Sequence, residues 1–267
     1  SLFQSEIDKI KMDENLIYAL NDLNEIGLSQ RLNINIEDKD IENLVTYFDK
    51  SDYYDSHIPH LSLKKNNLIK PNSAYKSYDY ETQLNNSTLL KLCLNKNIIK
   101  LAEQYLGCVP KIYSINTFKT LTQKKAFTHE FHRDIDNLKW LVVFIYWTKT
   151  SKDDGAYEQI KFTHKPSQKL NDILKNYSDH FSNNFDGFFL KTVPGYDLSH
   201  LYNKCFDNEI ENVSGDPGKV VVTDTIGLHR GTNVKKDRLV TWIRFGVLPS
   251  RQQLLNYKGT SKNKIQL

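Results

Sequence analysis

The sequence predicts a chain of the α+β kind, or a β-barrel buttressed by helices. Three observations carry this expectation. Apolar residues repeat at helical spacing over residues 1–50 and again over 87–106. Beyond residue 112, β-branched and aromatic residues gather into short runs of strand character. Helical pattern comes first and strand pattern later, rather than the two alternating. Apolar side chains make up 39% and charged ones 25%, so a packed core is within reach and global disorder is excluded.

Within residues 1–50, Leu16, Ile17, Leu20 and Leu23 form one repeat. Gly27 interrupts it, and Asp40 is placed to cap a second helix over Ile41, Leu44, Val45 and Phe48. Residues 51–86 are polar, with Pro59, Pro71 and several tyrosines, and read as loops or a lid. The clearest helix covers 87–106. Its stripe is Leu90, Leu94, Ile98, Leu101 and Tyr105, and Gly107 and Pro110 end it. Strands follow over 112–121 and 140–147, the second continuously apolar. Residues 166–200 hold a short helix and a long loop of a kind that covers a site. SGDPGKVVVTDTIGLHRG reads as turn, strand, turn and histidine, and RLVTWIRFGVL over 238–248 is a further strand. The tail from 249 is polar and is expected to be loosely held.

Lysine and arginine number 36 against 32 acidic residues, a net +4 with no long basic block, so nucleic-acid binding is not indicated. Cys93, Cys108 and Cys205 are odd in number and fit neither CxxC nor a disulfide framework, as in a reducing compartment. No segment approaches the roughly 20 apolar residues of a membrane span, and SLFQSEIDK has no signal-like apolar stretch. A cytoplasmic location is expected.

The chemistry concentrates in EFHRDIDN, residues 130–137. On extended backbone, side chains two apart share a face, so His132 and Asp134 can reach one ion together. His229 is the best-placed third ligand, following the strand VVVTD and lying between Gly227 and Gly231. Two histidines and one carboxylate leave coordination positions open, which suits non-haem Fe(II) oxygen chemistry. HxD also recurs by chance, and an ordinary polar strand end stands as the alternative. His129, three before His132, is expected to face away on a strand, in the core or at the surface. HxxH at His57 and His60 has no third ligand nearby in sequence. Arg238 and Arg244, six apart on one strand, share a face, and an inward arginine there needs an anion. Arg238 lies nearer the His229 turn and is the favoured carboxylate clamp, which leaves Arg244 for an anionic group on a substrate. Arg133 is expected to point opposite His132.

HRDIDN with its following apolar strand, DDGAYEQIKFTHK, and DPGKVVVTDTIGLHRGTNVKKDRL occur in an order that resembles the phytanoyl-CoA dioxygenase-like group of Fe(II)/2-oxoglutarate-dependent oxygenases. NKNIIKLAEQYLGCVP is similar to the helix and glycine ahead of that family's barrel. The likeness covers roughly residues 87–248, and FTHK stands where many members read PGSHK. It implies a mainly β fold with buttressing helices, a double-stranded β-helix or jelly-roll barrel. The whole of 1–267 would be a single oxygenase domain, with a helical part over about 1–110 and a barrel core over about 111–248.

The resemblance further implies Fe(II) on His132, Asp134 and His229, 2-oxoglutarate and O2 as co-substrates, and Arg238 on the distal 2-oxoglutarate carboxylate. Thr232 would add a hydrogen bond to that carboxylate. Asp134 stands where halogenating relatives carry a small residue, which favours hydroxylation with release of succinate and CO2. The substrate would be a small molecule, anionic or lipid-like, entering past loops that carry Tyr75, Lys76, Tyr78, Tyr80, Tyr177, Tyr196 and Tyr202. Two alternatives stand beside this reading: a cupin-like metalloenzyme that does not use 2-oxoglutarate, and a non-catalytic binding module. The oligomeric state is not legible.

Overall fold

The computed structural model describes residues 2–55, 74–122, 127–177 and 199–248. Six helices come first: α1 (Leu2–Asp8), α2 (Glu14–Ile26), α3 (Asp38–Lys50), α4 (Tyr80–Leu84), α5 (Ser87–Cys93) and α6 (Lys96–Leu106). Two short strands, β1 (Leu28–Ser29) and β2 (Tyr75–Ser77), lie among them. The strand-rich part holds β3 (Lys111–Thr120), β4 (Trp140–Tyr146), β5 (Tyr157–Ile160), β6 (Ile210–Val213), β7 (Val220–Thr223), β8 (His229–Gly231) and β9 (Arg238–Gly246). Helices α7 (Gln168–Asn176) and α8 (Ser199–Phe206) fall between β5 and β6.

The caps explain the helix limits. Asp13 accepts from the Leu16 amide at 2.8 Å to start α2, and Gly27, at φ 86°, ends it as the repeat predicts. Helix α3 begins at Asp38, so Asp40 lies in its first turn rather than at its cap; Ile41, Leu44 and Phe48 are buried as expected. The single helix expected over 87–106 is two. Asn95 accepts from the Asn97 and Ile98 amides and so restarts the chain as α6. Leu90 and Leu94 consequently face outward, and the buried set is Leu89, Leu92 and Cys93, then Ile98, Leu101, Ala102 and Tyr105.

The strands form two antiparallel sheets. One has six strands in the order β1-β7-β4-β9-β3-β2, the other three in the order β6-β5-β8. Alternation along β4 and β9 splits the larger sheet. Leu141, Val143, Ile145, Leu239, Ile243 and Phe245 face the helical layer and build the main core with α1–α3, α5 and α6. Tyr146 and Val240 face the other way, toward Tyr157 and Val213 of the smaller sheet. Helices α7 and α8 cover that smaller sheet through Leu170, Leu201, Tyr202 and Phe206.

The expectation of a mainly β, double-stranded β-helix barrel is therefore corrected. The fold is mixed α/β. Helical residues outnumber strand residues among the described elements, and neither sheet closes on itself. The segments that would have carried closure turn instead: Phe127–His129 is a 3₁₀ turn, and residues 136–139 bend. Outside the two sheets the described residues form isolated bridges, such as His132 with His229 and Thr150 with Gly215. Among the described residues, no helix is long and apolar enough to cross a membrane.

Candidate metal centre

His132 and His229 meet directly. Each donates its backbone amide to the other's carbonyl, at 2.9 and 3.0 Å, and their rings lie 4.3 Å apart. The pairing continues through the Asp134 amide, which donates to the Thr225 carbonyl at 2.9 Å. Extended backbone from 132 to 134 puts imidazole and carboxylate on one side, as the two-residue spacing predicts. Nε2 of His132 lies 4.0 Å from Oδ1 of Asp134, and Nε2 of His229 lies 3.8 Å from Oδ2. One donor atom from each of the three residues falls within 4.8 Å of the others. Two ligands at about 2.1 Å from an ion stand about 3 Å apart at a right angle and about 4 Å apart across it. The three side chains therefore bracket a space of single-ion size.

The hydrogen bonds fix which nitrogens are free. Nδ1 of His132 donates to the Glu130 carbonyl at 2.8 Å, and Nδ1 of His229 donates to the Gly227 carbonyl at 2.9 Å. With Nδ1 donating, the neutral form of each ring has its lone pair on Nε2, toward Asp134. Burial and the neighbouring His132 push the His229 pKa down to about 3, against the pull of Asp134. Burial opposes the charge on Asp134, but His229, Arg244, His132 and a hydrogen bond from Thr225 outweigh it and hold its pKa below the usual carboxylate value. A neutral histidine and an ionised carboxylate are the forms that ligate a divalent metal.

Neighbours lock this arrangement. Tyr157 stacks on the His229 ring at 5.6 Å. Arg133 points away from the centre, as expected, and donates to the carbonyls of Thr163 and Ile226, which pins the turn ahead of His229. Trp140 Nε1 donates to Thr225 Oγ1 at 2.8 Å, just behind Asp134.

The triad opens into a cavity of about 250 Å³ between the two sheets. Phe118, Phe144, Tyr146 and Trp242 supply apolar wall, and Asn116 and Arg238 are among its polar groups. Arg238 is buried, and no acidic side chain pairs with it among the described residues. Its Nε donates weakly to Thr120 Oγ1 at 3.4 Å, and its guanidinium lies 5.9 Å from the Tyr146 ring centre. Burial pulls its pKa down, countered by Tyr146 and Tyr75. Gly155, at φ 82°, makes room for it: a Cβ there would sit 3.0 Å from Arg238 Nε and 2.7 Å from Val234.

The other sequence candidates fall differently. Arg244 shares the Arg238 face of β9 but does not line the cavity, being held by Asp134 and Asp136. Thr232 turns away, its hydroxyl donating to the Lys152 carbonyl at 2.8 Å. His129 lines the cavity beside His132, where strand alternation had it facing away; it sits in a 3₁₀ turn, to which a period of two does not apply. Tyr75 lines the cavity and bonds Thr128. Tyr78 packs in the core against Phe48, and Tyr202 packs on Phe131. His57, His60, His180 and Tyr196 lie outside the described residues.

No family model and no curated protein matches the sequence. Solved structures match it in fold. A non-haem α-ketoglutarate-dependent carbocyclase, SnoK of nogalamycin biosynthesis, aligns over 98% of this chain and 95% of its own at 11% identity, with a TM-score of 0.60. EctD from S. alaskensis, solved with 2-oxoglutarate and 5-hydroxyectoine, covers 90% of this chain and 79% of its own at 12% identity and TM-score 0.57. HygX from Streptomyces hygroscopicus, solved with nickel and 2-oxoglutarate, covers 88% and 87% at 14% identity and TM-score 0.53. At these identities the likeness is one of fold. The resemblance drawn from HRDIDN and the later motifs is borne out at that level and by the His132–Asp134–His229 ligand set.

Proposed function

We propose that this chain, on a fold shared with α-ketoglutarate-dependent enzymes, is an Fe(II)/2-oxoglutarate-dependent oxygenase. It hydroxylates a C–H bond of a small molecule with release of succinate and CO2. One observation carries the reading: two buried histidines and a part-buried carboxylate open onto the same cavity as a buried arginine that has no acidic partner among the described residues.

His132, Asp134 and His229 would hold the metal through two Nε2 atoms and a carboxylate oxygen, a donor set that suits Fe(II) oxygen chemistry. Arg238 binds the far carboxylate of 2-oxoglutarate; a guanidinium fork matches a carboxylate through two parallel hydrogen bonds. The apolar wall of Phe118, Phe144 and Trp242 excludes water and positions the substrate. Bound iron and 2-oxoglutarate supply the oxidising power, and the protein orients the target bond. Asp134 takes the position that a halide needs in halogenating relatives, so oxygen transfer is the assigned outcome.

A cupin-like metalloenzyme would share the three ligands, and a binding module would share the cavity without turnover. Neither accounts for a cationic side chain that is buried in the same cavity as the metal set and has no acid paired to it among the described residues. The test is an anaerobic titration of 2-oxoglutarate into Fe(II)-loaded protein, followed in the visible region. A metal-to-ligand charge-transfer band that disappears in His132→Ala and needs far more 2-oxoglutarate in Arg238→Met is expected. Bound iron that gives no band would overturn the assignment in favour of the cupin-like enzyme. Folded protein that binds no iron would favour the binding module.

A further inference from the structure

We propose that Arg244 is a positioning residue for Asp134, fixing the rotation of the carboxylate that it presents to the metal beside His132 and His229; this rests on the metal-centre reading above. Arg244 Nη2 lies 3.4 Å from Asp134 Oδ2, and Nη1 donates to Asp136 Oδ2. The guanidinium lies 4.5 Å from the centre of the Trp242 ring. Its Nε has no hydrogen-bond partner among the described residues, so two carboxylates and one ring set its orientation. These groups are well shielded, with side-chain exposures of 16% for Arg244 and Asp134 and 28% for Asp136, so this is not a solvated surface pair.

The consequence follows from carboxylate geometry. A free carboxylate can ligate through one oxygen or both. The second mode consumes a position that a bidentate co-substrate and O2 require. Oδ2 stands between Arg244 Nη2 at 3.4 Å and His229 Nε2 at 3.8 Å, while Oδ1 faces His132 Nε2 at 4.0 Å, so the guanidinium limits how far the carboxylate can turn toward a second bond to the ion. Asp136 anchors the guanidinium from the far side and stops it from moving with Asp134. The spacing DID therefore has a purpose at each end: Asp134 faces the ion, and Asp136 holds the group that aims it. Arg244 is also spent in this way, which removes it as the site for a substrate anion.

The test titrates Co(II) into the full chain and reads both Kd and the visible d–d spectrum, with thermal unfolding of the metal-free protein alongside. Arg244→Met is expected to weaken Co(II) binding by about 10–100-fold, the usual effect of losing a partner of a metal ligand, and to change the d–d band shape. Arg244→Lys keeps the charge but cannot span two carboxylates, so it is expected to leave the spectrum altered. Asp136→Asn, which leaves Asp134 and Arg244 in place but removes the charge that anchors the guanidinium, is expected to shift Kd and spectrum in the same direction by a smaller factor. It carries the test should the arginine variants fail to fold. Co(II) binding within twofold of wild type, with an unaltered spectrum, in Arg244→Met overturns the proposal. In the absence of folded arginine variants, the same result in Asp136→Asn overturns it. Full restoration by Arg244→Lys also overturns it, since charge alone would then suffice. A wild-type chain that binds no Co(II) instead sinks the metal-centre reading itself.

Discussion

Replacing Arg238 with methionine tests the clamp in two directions at once. The side chain is buried and has no acidic partner among the described residues; its polar contacts are a long bond to Thr120 and an interaction with Tyr146. Taking a charge out of water costs several kcal/mol, and apolar replacement of buried ionic groups is often stabilising by about 1–4 kcal/mol. Arg238→Met should therefore stabilise the metal-free protein by about 1–3 kcal/mol. At about 2–4 °C per kcal/mol for a chain somewhat shorter than this one, that is a rise in Tm of a few degrees. The same change should cripple 2-oxoglutarate binding. Truncating one partner of a buried charged pair costs about 2–5 kcal/mol, and about 1.4 kcal/mol is tenfold, so Kd rises at least about 30-fold. Calorimetric unfolding and titration of 2-oxoglutarate into the Fe(II)-loaded protein measure the two quantities. A destabilised variant that binds 2-oxoglutarate as well as wild type would refute the reasoning, because Arg238 would then be a structural group and not a waiting cation.

Three further outcomes are expected. Gly155→Ala forces a side chain onto positive φ, at about 1–2 kcal/mol, and pushes against Arg238 Nε; the 2-oxoglutarate KM should rise several-fold with Co(II) affinity unchanged. Asp224 is pushed up to about 6 by burial, against hydrogen bonds from Tyr105 and the Ile226 amide. Its unfolded value is about 3.9, so its contribution is full below about pH 4 and is lost as pH rises through about 6, a change of about 3 kcal/mol. Asp224→Asn should remove that loss, seen as a smaller difference in urea-unfolding free energy between pH 4 and pH 7; an unchanged difference would show that the carboxyl titrates normally. Finally, a divalent metal at 100 times its Kd should stabilise the protein by about 2.7 kcal/mol, and chelator should reverse the shift. Asp134→Ala should abolish it; a metal-induced shift that persists there would place the ion elsewhere.

Much of the centre is local and so was legible in the sequence. His132 and Asp134 share a side because extended backbone has a period of two, whatever surrounds it. Gly27 and Gly107 end helices because only a residue without Cβ takes that backbone freely, and both do so at positive φ. Arg238 and Arg244 share a face of β9 for the same reason as the HxD pair. Periodicity gives the direction of a side chain, but not what stands opposite. That His229 pairs with His132 across 97 positions, that Arg238 finds no acid among the described residues and that Arg244 finds two were decided by tertiary packing. His129 was lost because a 3₁₀ turn broke the period just before the site. The barrel was overstated for a related reason: strand-like composition does not close a sheet. Closure needs continuous ladders, and outside the two open sheets the described residues form only isolated bridges. The sequence by itself determined the ligand types and their local directions; only the folded chain decided which of them share a cavity, because that depends on contacts between residues far apart in the chain.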